Sequence, residues 1–370
     1  MTRLRRALTG IAEEAPLVGA GQSLADAAIA GHRRRRRTRL VVGATAMVVA
    51  LVATTAGAVA AWPRTDHTAA PHHTKKVPNL PDGRVGTISH AYQTPCEVDR
   101  KTRTVDCADT EWRVVTGTGT TYRVPGALAR TRANGKVPVA ISRDGRMLAY
   151  YSPDAHAHVV RDLESGAVVT SPVTMEEDGI GFGSMLALSD DGRYVVFDPQ
   201  EGSKEPALLI DTRTGRKVSI SGKYEVISVK NGVVQLVRYR KTDLWFMPVA
   251  GGGRPVRFDG TFIMFSDLSP DGRTVAAVEF SELRKRMLTL LDTGTGRTLR
   301  KLPLRGLPKG GSLEGVTTWL SGTEVTVVLS TARHRYGYVV DVTTGRSRRW
   351  AGYPTRRQAA LALPGVSYSW

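Results

Sequence analysis

Past residue 86 the chain alternates short apolar runs with clusters of Gly, Asp, Ser and Thr, a rhythm that predicts many brief strands joined by tight turns. One element recurs as strand, turn, strand: AISRDGRMLAYY at 140–151, ALSDDGRYVVF at 187–197 and DLSPDGRTVAAV at 267–278. A second element follows each, as VVRDLESGAVV at 159–169, LLIDTRTGRKV at 208–218, TLLDTGTGRTL at 289–299 and YVVDVTTGRSR at 338–348. The aspartates of this second series, Asp162, Asp211, Asp292 and Asp341, are 49, 81 and 49 residues apart, so the long interval hides a divergent copy. That copy reads VVQLVRYRKTDLWFMPVAGGGRPVRF at 233–258, with a glycine run in place of the Thr-Gly-Arg turn. WLSGTEVTVVL at 319–329 belongs to the last unit, and residues 87–126 hold the strand content of one more.

The count is about six units of 40–50 residues, each with room for four strands. Such a unit is a small sheet with two apolar faces that it cannot bury alone, so copies must stack. Radial stacking shuts the array and leaves only short edges. The expected fold is therefore all-β, a propeller of six four-stranded blades, or seven. Residues 351–370 decide the number, since AALALPGVSY has the pattern to complete a sheet with the first strand. A linear solenoid is the competing architecture, but four strands per unit is the size of a blade.

Turn chemistry assigns the repeated carboxylates. Asp144-Gly145, Asp191-Gly192 and Asp271-Gly272 are expected to supply the positive φ of two-residue hairpins, each capped by the preceding serine. Asp162, Asp211, Asp292 and Asp341, closing their third strands, are placed to accept hydrogen bonds from the N–H groups of the next turn. These are structural roles.

With these motifs in view, the repeats resemble the TolB-like and WD-repeat-like propellers that carry an LSPDGR…DxxTG blade signature; residues 267–296 match best. The Gly-His and Trp-Asp dipeptides of the WD repeat are missing, which favours the TolB-like side. The resemblance implies a scaffold that binds protein or polymer, with no catalytic residues to carry over. The whole arrangement also resembles the actinobacterial single-pass membrane propellers.

The N-terminal part reads differently. Residues 40–62, LVVGATAMVVALVATTAGAVAAW, carry no charge and as a helix cover about 30 Å of hydrocarbon. Arg33–Arg37 and Arg39 precede this segment, so the positive-inside bias places the N-terminus in the cytoplasm and the repeats outside. A signal peptide cleaved near Ala60 is the alternative; both export the repeats. The expected order is a short helical cytoplasmic tail (1–39), a transmembrane helix (40–62), a Pro/His-rich linker (63–85) and an extracytoplasmic propeller (86–370). The arginine-rich tail is suited to anionic lipid or to a cytoplasmic partner.

The formal charge of +18 suggests a nucleic-acid binder until its location is examined. Residues 1–62 hold nine arginines against three acids, while the other 43 basic and 31 acidic residues spread over about 300 positions. No aromatic-basic interleaving appears, so nucleic acid is not an expected partner. An unknown protein or an anionic envelope polymer is. Cys96 and Cys107, eleven apart in a hairpin-like stretch, are expected to form a disulfide in an oxidising compartment.

Catalytic, cofactor and metal sites are not expected. No Gly-x-Ser-x-Gly pentad occurs, and Gly117-Thr118-Gly119 has neither a third glycine nor a following helix. Six tryptophans are too few for a tryptophan-docked quinoprotein. Asp154, His156 and His158 read as an exposed hairpin rather than a metal site, and His67, His72 and His73 as solvated linker side chains. The functional expectation is a membrane-anchored, non-enzymatic binding module. A transmembrane sensor whose tail holds a transcription-related factor is the second reading, and a lactonase-like or quinoprotein-like enzyme the third.

Overall fold

A computed structural model describes residues 77–370, apart from residues 100, 201, 240, 333, 355–357 and 368–370. The expected tail, the apolar segment 40–62 and the three linker histidines lie outside the described residues. Among the described residues no helix is long and apolar enough to cross a membrane.

The strands form six four-stranded antiparallel sheets and one small hairpin. Blade 1 contains β1 (Ile88–Gln93), and its next connection carries the separate hairpin β2 (Glu97–Val98) and β3 (Val105–Asp106). β4 (Trp112–Thr116) and β5 (Thr121–Arg123) follow in the same blade. Blade 2 is β6 (Ala140–Ile141), β7 (Met147–Ser152), β8 (Ala157–Asp162) and β9 (Val168–Thr174). Blade 3 is β10 (Met185–Leu188), β11 (Tyr194–Asp198), β12 (Ala207–Asp211) and β13 (Lys217–Ile220). Blade 4 is β14 (Glu225–Lys230), β15 (Val233–Arg238), β16 (Asp243–Pro248) and β17 (Val256–Arg257). Blade 5 is β18 (Phe262–Leu268), β19 (Thr274–Glu279), β20 (Met287–Asp292) and β21 (Thr298–Pro303). Blade 6 is β22 (Ser312–Trp319), β23 (Glu324–Ser330), β24 (His334–Asp341) and β25 (Ser347–Pro354).

The last strand, β26 (Ala360–Ala362), closes the ring. It pairs with β1 through Ala91–Ala362, Tyr92–Leu361 and Gln93–Ala360, which makes it the innermost strand of blade 1. Six blades is therefore the number, and residues from the expected 351–370 stretch complete the first blade rather than begin a seventh.

Burial shows why the units cannot stand apart. Six apolar clusters fill the molecule, and each joins two neighbouring blades. Val327 and Leu329 face blade 5 while Val328 faces blade 1, so both sides of β23 are covered. At about 25 cal/mol per Å² of apolar surface, these layers are the main favourable term of the fold. The layer at the closing seam is the smallest, with Val328, Tyr353, Leu361, Leu363 and Val366.

Two expectations need correction. The linker ends before residue 85: Asn79 bridges Arg123 and Leu80 is buried in the blade 1–2 core, so the chain belongs to the propeller from Val77. The Asp-Gly turns are not two-residue hairpins. Such hairpins need positive φ at the first central residue, in type I′ at both, yet only Gly145 (φ 77°), Gly192 (φ 70°) and Gly272 (φ 71°) have it and their aspartates do not. Gly145 N–H donates to Ser142 O at 2.9 Å and Ser142 N–H to Met147 O at 2.9 Å, a wider turn ending on a left-handed glycine.

Candidate functional site

The Asp-Gly turns and the Thr-Gly turns join strands 1–2 and 3–4 of their blades, so antiparallel pairing puts both sets on one end of the ring. There the serine and aspartate of each Asp-Gly turn lock it. Ser142 Oγ donates to Asp144 Oδ1 at 2.6 Å and accepts Met147 N–H at 2.8 Å, while Asp144 Oδ1 takes Arg146 N–H at 3.0 Å. Ser189 with Asp191 and Ser269 with Asp271 repeat this pattern. Hydrogen bonding by Ser269 holds the Asp271 carboxyl below its ordinary value.

The second series behaves likewise. Asp162 accepts from Glu164 N–H at 2.9 Å, Asp211 from Arg213 N–H at 3.0 Å, Asp292 from Thr295 N–H at 2.7 Å and Asp341 from Thr343 N–H at 2.7 Å. Asp211 also takes both Nε (3.1 Å) and Nη2 (2.8 Å) of Arg193, and that arginine lowers its carboxyl to about 2. Each of these carboxylates serves its own turn, and the ring does not gather them into one site. Among the described residues no three His, Cys, Asp or Glu side chains are grouped to hold a metal.

The axis is where side chains from different blades meet. After β26 the chain turns at Pro364-Gly365 and runs across the inner strands. Gly365 N–H donates to Ile141 O of blade 2 at 2.9 Å, Leu186 N–H of blade 3 donates to Ser367 O at 3.1 Å, and Ser367 Oγ donates to Val226 O of blade 4 at 2.7 Å. Gly365 has φ 72°, and a Cβ there would stand 2.6 Å from Thr318 Cγ2 of blade 6. Val366 and Ser367 are buried. The protein thus occupies its own axial passage with residues 363–367, where Gly365, Val366 and Ser367 lie against Ile141, Ala187 and Ser228.

Beside this plug, charges from four consecutive blades meet. Lys230 and Asp267, 4% and 3% exposed, pair at 3.0 Å, and Lys230 also donates to Leu268 O. Trp319 N–H donates to the other Asp267 oxygen at 2.9 Å, and its indole N–H to Ser266 Oγ at 3.0 Å. Burial pushes the Asp267 carboxyl up, against the pull of Lys230 and of Arg143. Arg143 itself pairs with Asp190 at 3.2 Å. Sequence reasoning missed this group because its members sit one per blade; the only signal was their position beside turn motifs already assigned.

One further side chain differs from expectation. His158 is not on an exposed hairpin: it is fully buried, with ring centroids 5.9 Å from Tyr151 and 4.7 Å from Phe197, and burial lowers its imidazole to about 4. β8 lies inside blade 2, where both faces are covered. His156, in the left-handed region at φ 47°, is exposed and faces Glu176 at 3.2 Å. Cys96 and Cys107 are joined and clamp the β2–β3 hairpin, whose Val98 and Val105 point into solvent.

Six radially packed four-stranded blades, closed by the C-terminal strand and built on these turns, define a six-bladed β-propeller. No protein-family model matches the chain, and no curated protein is similar to it in sequence. Among solved structures it is similar to TolB from Acinetobacter baumannii, at 16% identity over 77% of this chain and 68% of that one, with a TM-score of 0.48. It is also similar to the β-propeller domain of Myceliophteria thermophila Cps50 (Swd1), at 15% identity over 58% and 70% of the two chains, TM-score 0.38. Kuenenia stuttgartiensis hydrazine synthase is similar at 14% identity over 64% of this chain and 71% of that one, with a TM-score of 0.40. Likeness at this level concerns the fold alone.

Proposed function

We propose that this propeller is a non-catalytic binding module that recognises a protein, peptide or envelope polymer on its outer surface, held outside the cell by the apolar segment 40–62. The observation that carries the reading is the filled axis: residues 363–367 occupy the passage in which a propeller would enclose a small ligand. What is left for recognition is the broad exterior of blades and turns, a surface suited to macromolecules. The turn carboxylates are already engaged by their own backbone, which argues against their use in acid-base chemistry.

Anchoring rests on the uncharged run and the arginines before it. Topology mapping, combined with sequencing of the mature N-terminus, tests that part. Cross-linking of the full chain in intact cells tests the binding reading; the expected product is a discrete macromolecular partner outside the membrane. A purified chain that carries a tightly bound cofactor and turns over a metabolite unaided overturns it. The sensor reading is favoured by the compact run of six arginines at the membrane edge. Deleting residues 1–31 while keeping that run tests it, since an unchanged phenotype and partner set excludes signalling through the tail.

A further inference from the structure

The outer edge of blade 6 gathers positive charge that the fold itself does not neutralise. Arg305, at the end of blade 5, and Arg346, at the start of β25, are joined in a parallel bridge, with Arg305 N–H on Gly345 O at 2.8 Å and Ser347 N–H on Arg305 O at 2.9 Å. Bridged residues project to the same side about 5 Å apart, so two guanidinium chains start next to each other. Both residues are exposed. Among the described residues neither has a carboxylate within ion-pair distance, although the neighbouring Arg348 finds Glu324 at 3.2 Å. Like charges so placed repel, and an external anion is the group that relieves them.

Arg348 and Trp350 follow Arg346 along β25 and lie close to one another. The Arg348 guanidinium carbon lies 5.9 Å from the centre of the Trp350 ring. Trp350 occupies a bulge: Gly337 pairs with Ala351 and Tyr338 with Arg349, which leaves Trp350 without a cross-strand partner. Trp350 is 59% exposed, uncommon for the largest apolar side chain. β25 is also the outermost strand of its sheet, so one side of its backbone has N–H and C=O groups with no ladder to join.

We infer that the strip formed by Arg305, Arg346, Arg348 and Trp350 binds an anionic polysaccharide. The assignment rests on the reading of the exterior as a macromolecular surface and names its occupant. Arginine forks pair bidentately with carboxylate, sulfate or phosphate. An exposed indole offers a flat apolar face to the C–H side of a sugar ring, and the free strand edge offers partners to hydroxyl groups. The strip runs along the outermost strand of its blade, which suits an extended chain. Single-stranded nucleic acid, by contrast, is held on successive aromatic platforms, and this strip has one ring.

The test uses the full chain in detergent micelles, with heparin, inorganic polyphosphate, an oligothymidylate and neutral dextran as probes at several salt concentrations. Heparin is expected to bind most tightly and dextran not at all. The double variant Arg305→Ser/Arg346→Ser should weaken heparin binding about tenfold or more and flatten the salt dependence by one to two units of slope. Trp350→Ala should weaken heparin while leaving polyphosphate unchanged. All three side chains are exposed, so unchanged melting confirms that the variants fold. Wild-type affinity in the double variant overturns the inference, as does equal weakening in a remote pair, Arg213→Ser/Arg254→Ser, or tighter binding of the oligothymidylate. A chain that ignores all polyanions yet still cross-links to an envelope protein sinks this assignment and leaves the binding-module reading standing.

Discussion

Replacing Lys230 with methionine removes the cation from a pair that is almost fully out of water and keeps the volume of the side chain. Asp267 then retains only the Trp319 N–H at 2.9 Å, and Leu268 O loses its Lys230 donor. Breaking a buried pair from one side costs about 3–5 kcal/mol, because the remaining charge is neither solvated nor matched. For a body of this size that lowers the melting temperature by roughly 6–15 °C. The sign of the pH dependence follows from burial. Desolvation lifts the folded Asp267 carboxyl above its unfolded value, so its contribution favours folding at low pH and is lost as pH rises through the folded value. Without Lys230 the lift grows. The deficit of Lys230→Met relative to the parent chain is therefore expected to be largest near neutral pH and to narrow toward pH about 4.5. Chemical denaturation of both chains across that range reads it directly. A deficit that stays constant with pH, or that remains below about 1 kcal/mol at neutrality, refutes the reasoning. The double variant Lys230→Met/Asp267→Leu should recover most of the loss, since an apolar pair of similar size carries no stranded charge.

Other consequences can be checked separately. His158, held near 4 by burial, favours the folded state above its unfolded value and loses that contribution as pH falls toward 4; His158→Phe should make stability flatter between about pH 6.5 and 4, by up to about 3 kcal/mol in denaturation midpoints. Deleting residues 364–370 removes the acceptor of Leu186 N–H, so hydrogen exchange at that amide should speed up tenfold or more while outer-strand amides keep their protection. In Cys96→Ser/Cys107→Ser the isolated β2–β3 hairpin should open, and proteolysis after Lys101 or Arg103 should rise sharply with little change in the melting of the ring. Gly345→Ala puts a methyl group against Pro303 O at a residue with φ 72°; a loss of about 2 kcal/mol is expected, and an unchanged midpoint counts against close packing of that turn on blade 5.

The repeat was legible because each blade obeys local rules. A period-two apolar pattern, Ser-x-Asp-Gly-Arg and Asp-x-x-Thr-Gly describe strand, turn and strand without reference to anything distant, and Asp144, Asp162, Asp211, Asp292 and Asp341 each accept a backbone N–H of their own turn. The sequence also marked the disulfide pair and the C-terminal run that completes blade 1. His158 was misjudged because alternation along β8 does not say that both of its faces will be covered by neighbouring sheets.

What only the tertiary structure decided is whatever joins residues from different blades. Lys230 meets Asp267, Arg143 meets Asp190 and Arg305 meets Arg346 across gaps of 37, 47 and 41 positions, and residues 363–367 reach strands more than 130 positions earlier. Local pattern fixes the shape of a blade through short-range sterics and hydrogen bonding. Which charges face one another depends on ring closure, on the twist of each sheet and on the length of the loops between them, and these act only once the apolar faces have found each other.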